Sequence, residues 1–96
     1  MKHFVYLLIS YHKAKIISYV GYTNDIKKRL KLHNDSKGAK FTKGKKWEVA
    51  YKREFNTKSE AMKYEYFLKI DRKKRIKIKE NFLKSKINEN IDLITV

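Results

Sequence analysis

The stretch from Ser18 to His33 constrains this chain more than any other, because its hydrophobic period changes partway along. Ile16 to Val20 is a β-rich apolar run, whereas Ile26, Leu30 and His33 recur at the spacing of one helical face. Between them Gly21 admits backbone angles closed to other residues, and Thr23, Asn24 or Asp25 can cap a helix running to about Asn34. A strand therefore passes through a tight turn into a helix, with Tyr19 at the strand end and Arg29 on the helix. A phenol and a guanidinium at such a junction suit either chemistry or packing.

A second apolar run, His3 to Ile9, precedes the first, and the polar Ser10 to Lys15 join the two as an antiparallel hairpin. A loop symmetric about His12 and Lys13 sets Tyr6 directly across from Tyr19, so both phenols share a face. Trp47 to Phe55 alternates Trp47, Val49, Tyr51 and Phe55 with mostly polar residues, the pattern of a third strand with one buried face. Asn56 or Thr57 caps a second helix, and Thr57-Lys58-Ser59-Glu60 matches the capping box. Within that helix Glu65 falls on or beside the apolar face. A carboxylate there needs an ion pair, a hydrogen bond or a cation, and Lys69 four residues on is one available partner.

From Asp71 the chain is strongly cationic but spaces Ile76, Ile78, Phe82 and Leu83 as a third helix does. The expected fold is α+β: a small three-stranded antiparallel sheet with flanking helices, in the order β-β-α-β-α-α. One domain should span residues 1–83. Residues 84–96 form a C-terminal tail open to disorder, an added edge strand or a partner contact.

Charge points to the partner. With 25 Lys and Arg against 10 Asp and Glu in 96 residues, the net charge of +15 favours a polyanion, nucleic acid before an anionic membrane surface. The loop from Asp35 to Lys46 sets Phe41 among lysines and holds two glycines, as a flexible segment contacting phosphates and an unstacked base would. Candidate nucleic-acid contacts are Lys28, Lys37, Lys40, Phe41, Lys43, Lys45, Lys46, Arg72, Lys73 and Arg75. The absence of cysteine excludes disulfides and thiolate metal sites. Phe4 to Ile9 is too short to span a membrane and carries no cleavage pattern, so a cytoplasmic protein without a membrane partner is expected.

Tyr6 on the first strand, Tyr19-Val20-Gly21 on the second, Arg29 on the first helix and Glu65 on the second together resemble the GIY-YIG endonuclease domain, in the order that family shows. The resemblance covers residues 2 to 80, and the short free-standing bacterial members are the most similar. It implies catalytic roles for Tyr6, Tyr19 and Arg29, a single divalent metal, Mg²⁺ or Mn²⁺, on Glu65, and help from His33, at a position that holds Tyr or His in many members. Phe4-Val5-Tyr6 keeps only the tyrosine of Gly-Ile-Tyr, and Tyr22 stands where the family often has Lys. The asparagine that closes the site in DNA-repair members has no counterpart. The implied activity is metal-dependent hydrolysis of DNA phosphodiesters. The alternative is a weakly active or inactive nucleic-acid-binding module of the same fold.

Overall fold

The computed structural model describes residues 1–95, with side chains described through residue 88. Strand β1 (His3–His12) and strand β2 (Lys15–Thr23) form the expected hairpin, and β3 (Glu48–Phe55) pairs antiparallel with the other edge of β1, giving the order β2-β1-β3. Helices α1 (Ile26–Asn34), α2 (Lys58–Ile70) and α3 (Arg72–Thr95) complete the α+β fold. Helix α3 carries straight across residue 84, so residues 84–95 are helical and add no edge strand. Val96 lies outside the described residues.

The hairpin register differs from the symmetric loop expected. His12 pairs with Lys15, leaving a two-residue turn of Lys13 and Ala14 with φ of 50° and 63°. Positive φ at both positions matches the twist of the flanking strands, which two-residue hairpin turns require. Tyr6 therefore opposes Gly21, and Tyr19 opposes Leu8. The slip is two residues, one full side-chain period, so both phenols still project from one face.

Because β1 is central, it is buried on both faces, with Val5 through Ser10 all at 2% exposure or less. Val5, Leu7 and Ile9 pack with Ala61 and Leu68 of α2, whereas Tyr6 and Leu8 pack with Trp47, Ile26 and Leu30 on the α1 side. Strand β3 does not present one buried face throughout. Leu7 opposes Tyr51 while Leu8 opposes Val49, so a bulge at Ala50 changes which side its residues serve. Trp47 and Val49 join the α1 cluster, and Tyr51 and Phe55 join the α2 cluster.

The helix starts follow their caps. Asp25 accepts the Lys28 N–H at 3.1 Å to begin α1, and Thr57 accepts the Glu60 N–H at 3.2 Å to begin α2. Asp71 separates α2 from α3, its carboxylate accepting the Lys74 N–H at 3.1 Å. Arg75 then folds back and donates to the Leu68 and Lys69 carbonyls, satisfying groups that the end of α2 leaves free.

Candidate active site

Tyr6, nearly fully buried on the central strand, has its ring over Gly21. A Cβ built at Gly21 would lie 2.3 Å from the Tyr6 oxygen and 2.5 Å from Cζ. Among the glycines only Gly44 has positive φ. Gly21 is thus present to make room for the phenol, and β2 continues through it to Thr23 without the turn that its flexibility suggested.

The phenol reaches His33, near the end of α1 and 1% exposed, with its oxygen 2.9 Å from Nε2. On the other side of the ring, Nδ1 lies 2.9 Å from Thr42 Oγ1. Thr42 Oγ1 also sits 2.9 Å from the Ala39 carbonyl, which can only accept, so the single hydroxyl proton goes there. Thr42 must then accept from His33, which places the imidazole proton on Nδ1 and leaves Nε2 as an acceptor. The Tyr6 hydroxyl donates to it.

Burial and electrostatics support two neutral partners. Burial raises the Tyr6 phenol well above its ordinary value; the Tyr19 phenol and the Glu65 carboxylate add to this, while Arg29 opposes it. Burial lowers the His33 imidazole, and the Arg29 guanidinium lowers it further. At neutral pH the resting pair is a phenol hydrogen-bonded to a neutral imidazole.

The loop following α1 is fastened down. Trp47 donates from Nε1 to the Thr42 carbonyl at 3.0 Å, and its amide and carbonyl bond the Asn34 side chain at 2.6 and 3.2 Å. A Cβ at Gly38 would lie 2.4 Å from His33 Nδ1, so the loop backbone presses against the imidazole. The expected flexible segment is a clamp around His33. Thr42, Gly38 and Asn34 escaped the sequence reading because a lone Thr, Gly or Asn beside a lysine-rich loop has no periodic signal, and their contacts are tertiary.

Tyr19 packs its ring 5.1 Å from that of His33 and lines a cavity of about 310 Å³ with Ser18, Val20, Phe41, Lys69 and Arg75. Arg29 instead lines a separate cavity of about 380 Å³ with Tyr22, Asn24 and Lys28. There Tyr22 stacks on His3, its hydroxyl 2.7 Å from Nδ1. Tyr6 lies within the fields of Tyr19, Arg29 and Glu65, while Tyr19 and Arg29 each line one of these two cavities. Of the remaining basic candidates, Lys37, Lys40, Lys43, Lys46, Arg72 and Lys73 are exposed, while Lys45 and Arg75 are half-buried against their own backbone partners.

Glu65 projects from α2 with its side chain 20% exposed, and Lys69 Nζ lies 3.2 Å from Oε1. Such an i,i+4 pair contributes only about 0.3–0.5 kcal/mol, so it holds the carboxylate weakly. Among the described residues no three His, Cys, Asp or Glu side chains gather as an all-protein metal cage. A lone, partly solvated carboxylate fits Mg²⁺ or Mn²⁺ holding most of its own waters. Also among the described residues, no helix is long and apolar enough to cross a membrane.

A family model described as the GIY-YIG catalytic domain matches residues 2–88. The UPF0213 protein YazA of Bacillus subtilis is 47% identical over 89 residues, covering 90% of this chain and 82% of that protein. A UPF0213 protein of Oceanobacillus iheyensis is 41% identical over 81 residues, covering 82% and 91%. The solution NMR structure of a UPF0213 protein from Bacillus halodurans is 34% identical, covers 83% of this chain and 84% of that one, and has a TM-score of 0.47.

Proposed function

The chain belongs to the GIY-YIG family, and on that premise we propose that it is a metal-dependent endonuclease that hydrolyses DNA phosphodiester bonds. The observation that carries this reading is the directed chain of hydrogen bonds from Tyr6 through His33 to Thr42.

A phenol with a raised pKa is a poor base if it must first ionise. The relay removes that requirement. An attacking water gives its proton to the Tyr6 oxygen while Tyr6 gives its own to His33 Nε2, so the pair becomes phenol and imidazolium. Tyr6 never stands as a free phenolate in the resting site. The water oxygen forms the new bond to phosphorus, the bond to the leaving oxygen breaks, and that oxygen takes a proton from solvent. Arg29 braces the non-bridging oxygens through its planar fork as negative charge gathers there. Thr42 holds the tautomer, and Tyr19 steadies the imidazole and walls the cleft. Glu65 would hold Mg²⁺ or Mn²⁺, which when bound supplies Lewis-acid stabilisation of the phosphoryl oxygens.

The test is nicking of branched, single-stranded and duplex DNA with Mg²⁺ or Mn²⁺, comparing wild type with Glu65→Ala and Arg29→Ala. Cleavage that needs the metal and falls at least a hundredfold in both variants is expected. Cleavage without a metal, or unaffected by either change, overturns the proposal. The Lys69 ammonium on Glu65 favours a second reading, a nucleic-acid-binding module without turnover. That reading expects DNA binding that survives Glu65→Ala, with no wild-type cleavage of any substrate.

A further inference from the structure

Phe41 is 53% exposed, although the turn that carries it is anchored through Thr42, which bonds the Ala39 carbonyl and accepts from Trp47 Nε1 at its own carbonyl. Its neighbour Thr42 is fully buried and bonds His33. The Phe41 ring lies nearly parallel to that of Tyr19, 18° apart with centroids 6.3 Å from each other, and Trp47 supports it at 6.2 Å. A large apolar ring is thus held in place yet left half in water, forgoing part of the burial energy that would explain it as packing.

Its surroundings are cationic. Lys45 Nζ sits 5.4 Å from the Phe41 ring centroid and donates to the Phe41 carbonyl at 3.2 Å. The cavity of about 310 Å³ beside the ring places Tyr19 and Phe41 together with Lys69 and Arg75. A flat aromatic face rimmed by ammonium and guanidinium groups complements a planar base carried on a phosphate chain. Inside a continuous duplex both faces of every base are already stacked on neighbours. Only an unpaired or terminal base has a face free for Phe41.

We propose that Phe41, backed by Tyr19, is a stacking platform for an unpaired nucleotide, so that the site selects single-stranded or branched DNA over continuous duplex. This rests on the cleft being where DNA is bound and cut, and it names the substrate class. Because Phe41 adjoins Thr42 in one turn, a base seated on the platform also lies next to the group that orients His33.

The test is binding by fluorescence anisotropy in EDTA, where no turnover occurs. It compares a blunt duplex, which offers only its terminal bases, with a shorter duplex that bears a single-stranded extension, matched in phosphate number so that the lower charge density of the single strand works against the expected preference. Wild type is expected to bind the extended DNA on the order of tenfold more tightly. Phe41→Ala and Phe41→Leu lose that difference, and Phe41→Trp keeps it. A 2-aminopurine in the extension changes fluorescence on binding wild type and much less with Phe41→Ala. Equal loss of affinity for both DNAs in Phe41→Ala, or no 2-aminopurine response at saturating wild type, overturns the proposal. Because binding is read without metal, stacking without cleavage refutes the endonuclease reading alone, and cleavage without any Phe41-dependent preference refutes the platform alone.

Discussion

Thr42→Val tests the proton arrangement at its anchor. Val preserves shape and volume to within one atom but removes the acceptor of His33 Nδ1 and the donor to the Ala39 carbonyl. Both Thr42 and His33 are at most 1% exposed, so water cannot replace the lost partner of the imidazole. A buried donor left unsatisfied costs about 1–3 kcal/mol. For a domain of this size about 2 kcal/mol corresponds to a fall in melting temperature of roughly 8–16 °C. The imidazole can relieve part of this by moving its proton to Nε2, but that nitrogen then no longer accepts the proton of Tyr6. Nitrogen-15 NMR should therefore show His33 changing from the Nδ1–H to the Nε2–H tautomer. On the proposed mechanism, losing this acceptor should lower cleavage by about 10²–10⁴-fold. Thr42→Ser should restore the tautomer, most of the stability and the activity. A Val variant that melts within a degree or two of wild type and keeps the Nδ1–H tautomer would refute the hydrogen-bond assignment.

Gly21→Ala should be destabilised by about 1–3 kcal/mol in urea denaturation, because the methyl would enter space held by the Tyr6 ring and the buried phenol has little room to retreat. The Tyr6 to His33 bond and cleavage should be lost with it; wild-type stability would show that the ring moves freely. Ala14→Gly should raise stability by about 0.5–1 kcal/mol, since Ala14 holds a φ of 63° that glycine adopts without steric cost. A lower midpoint in the same titration would contradict this. Cleavage should be flat near neutral pH and fall as the solution is acidified through a value below 6.5, because protonated His33 cannot accept from Tyr6 and its pKa is depressed. The folding sign is the same. Below 6.5 the unfolded chain takes up a proton that folded His33 refuses, so stability declines as pH falls toward the depressed value. Denaturation midpoints at about pH 7.5 and 5.5 measure it, and a midpoint rising on acidification would reverse the assignment.

Local patterns in the chain already contained the order of elements, their capped starts and the hairpin that carries both tyrosines. Thr57 and Glu60 form their cap within four residues, and Ile26, Leu30 and His33 share one face of one helix, so adjacent sequence suffices. Tyr6 and Tyr19 share a face despite the two-residue slip, because side chains alternate with a period of two. The register itself was hidden because Lys13 and Ala14 lack the Gly or Asn that usually marks such a turn.

What only the tertiary structure decided depends on residues distant in sequence meeting in a dry interior. The bulge at Ala50, which divides β3 between two cores, follows from packing on both sides of β1. The need for glycine at position 21 comes from the ring of Tyr6 across the strand rather than from backbone conformation. Thr42 gains its importance only where the loop folds over His33, and that contact decides which nitrogen carries the proton. Sequence determined which groups capable of chemistry the chain carries and on which elements. Burial and the cost of leaving a buried polar group without a partner determined that Tyr6 and His33 become a directed pair, with Tyr19 as their neighbour.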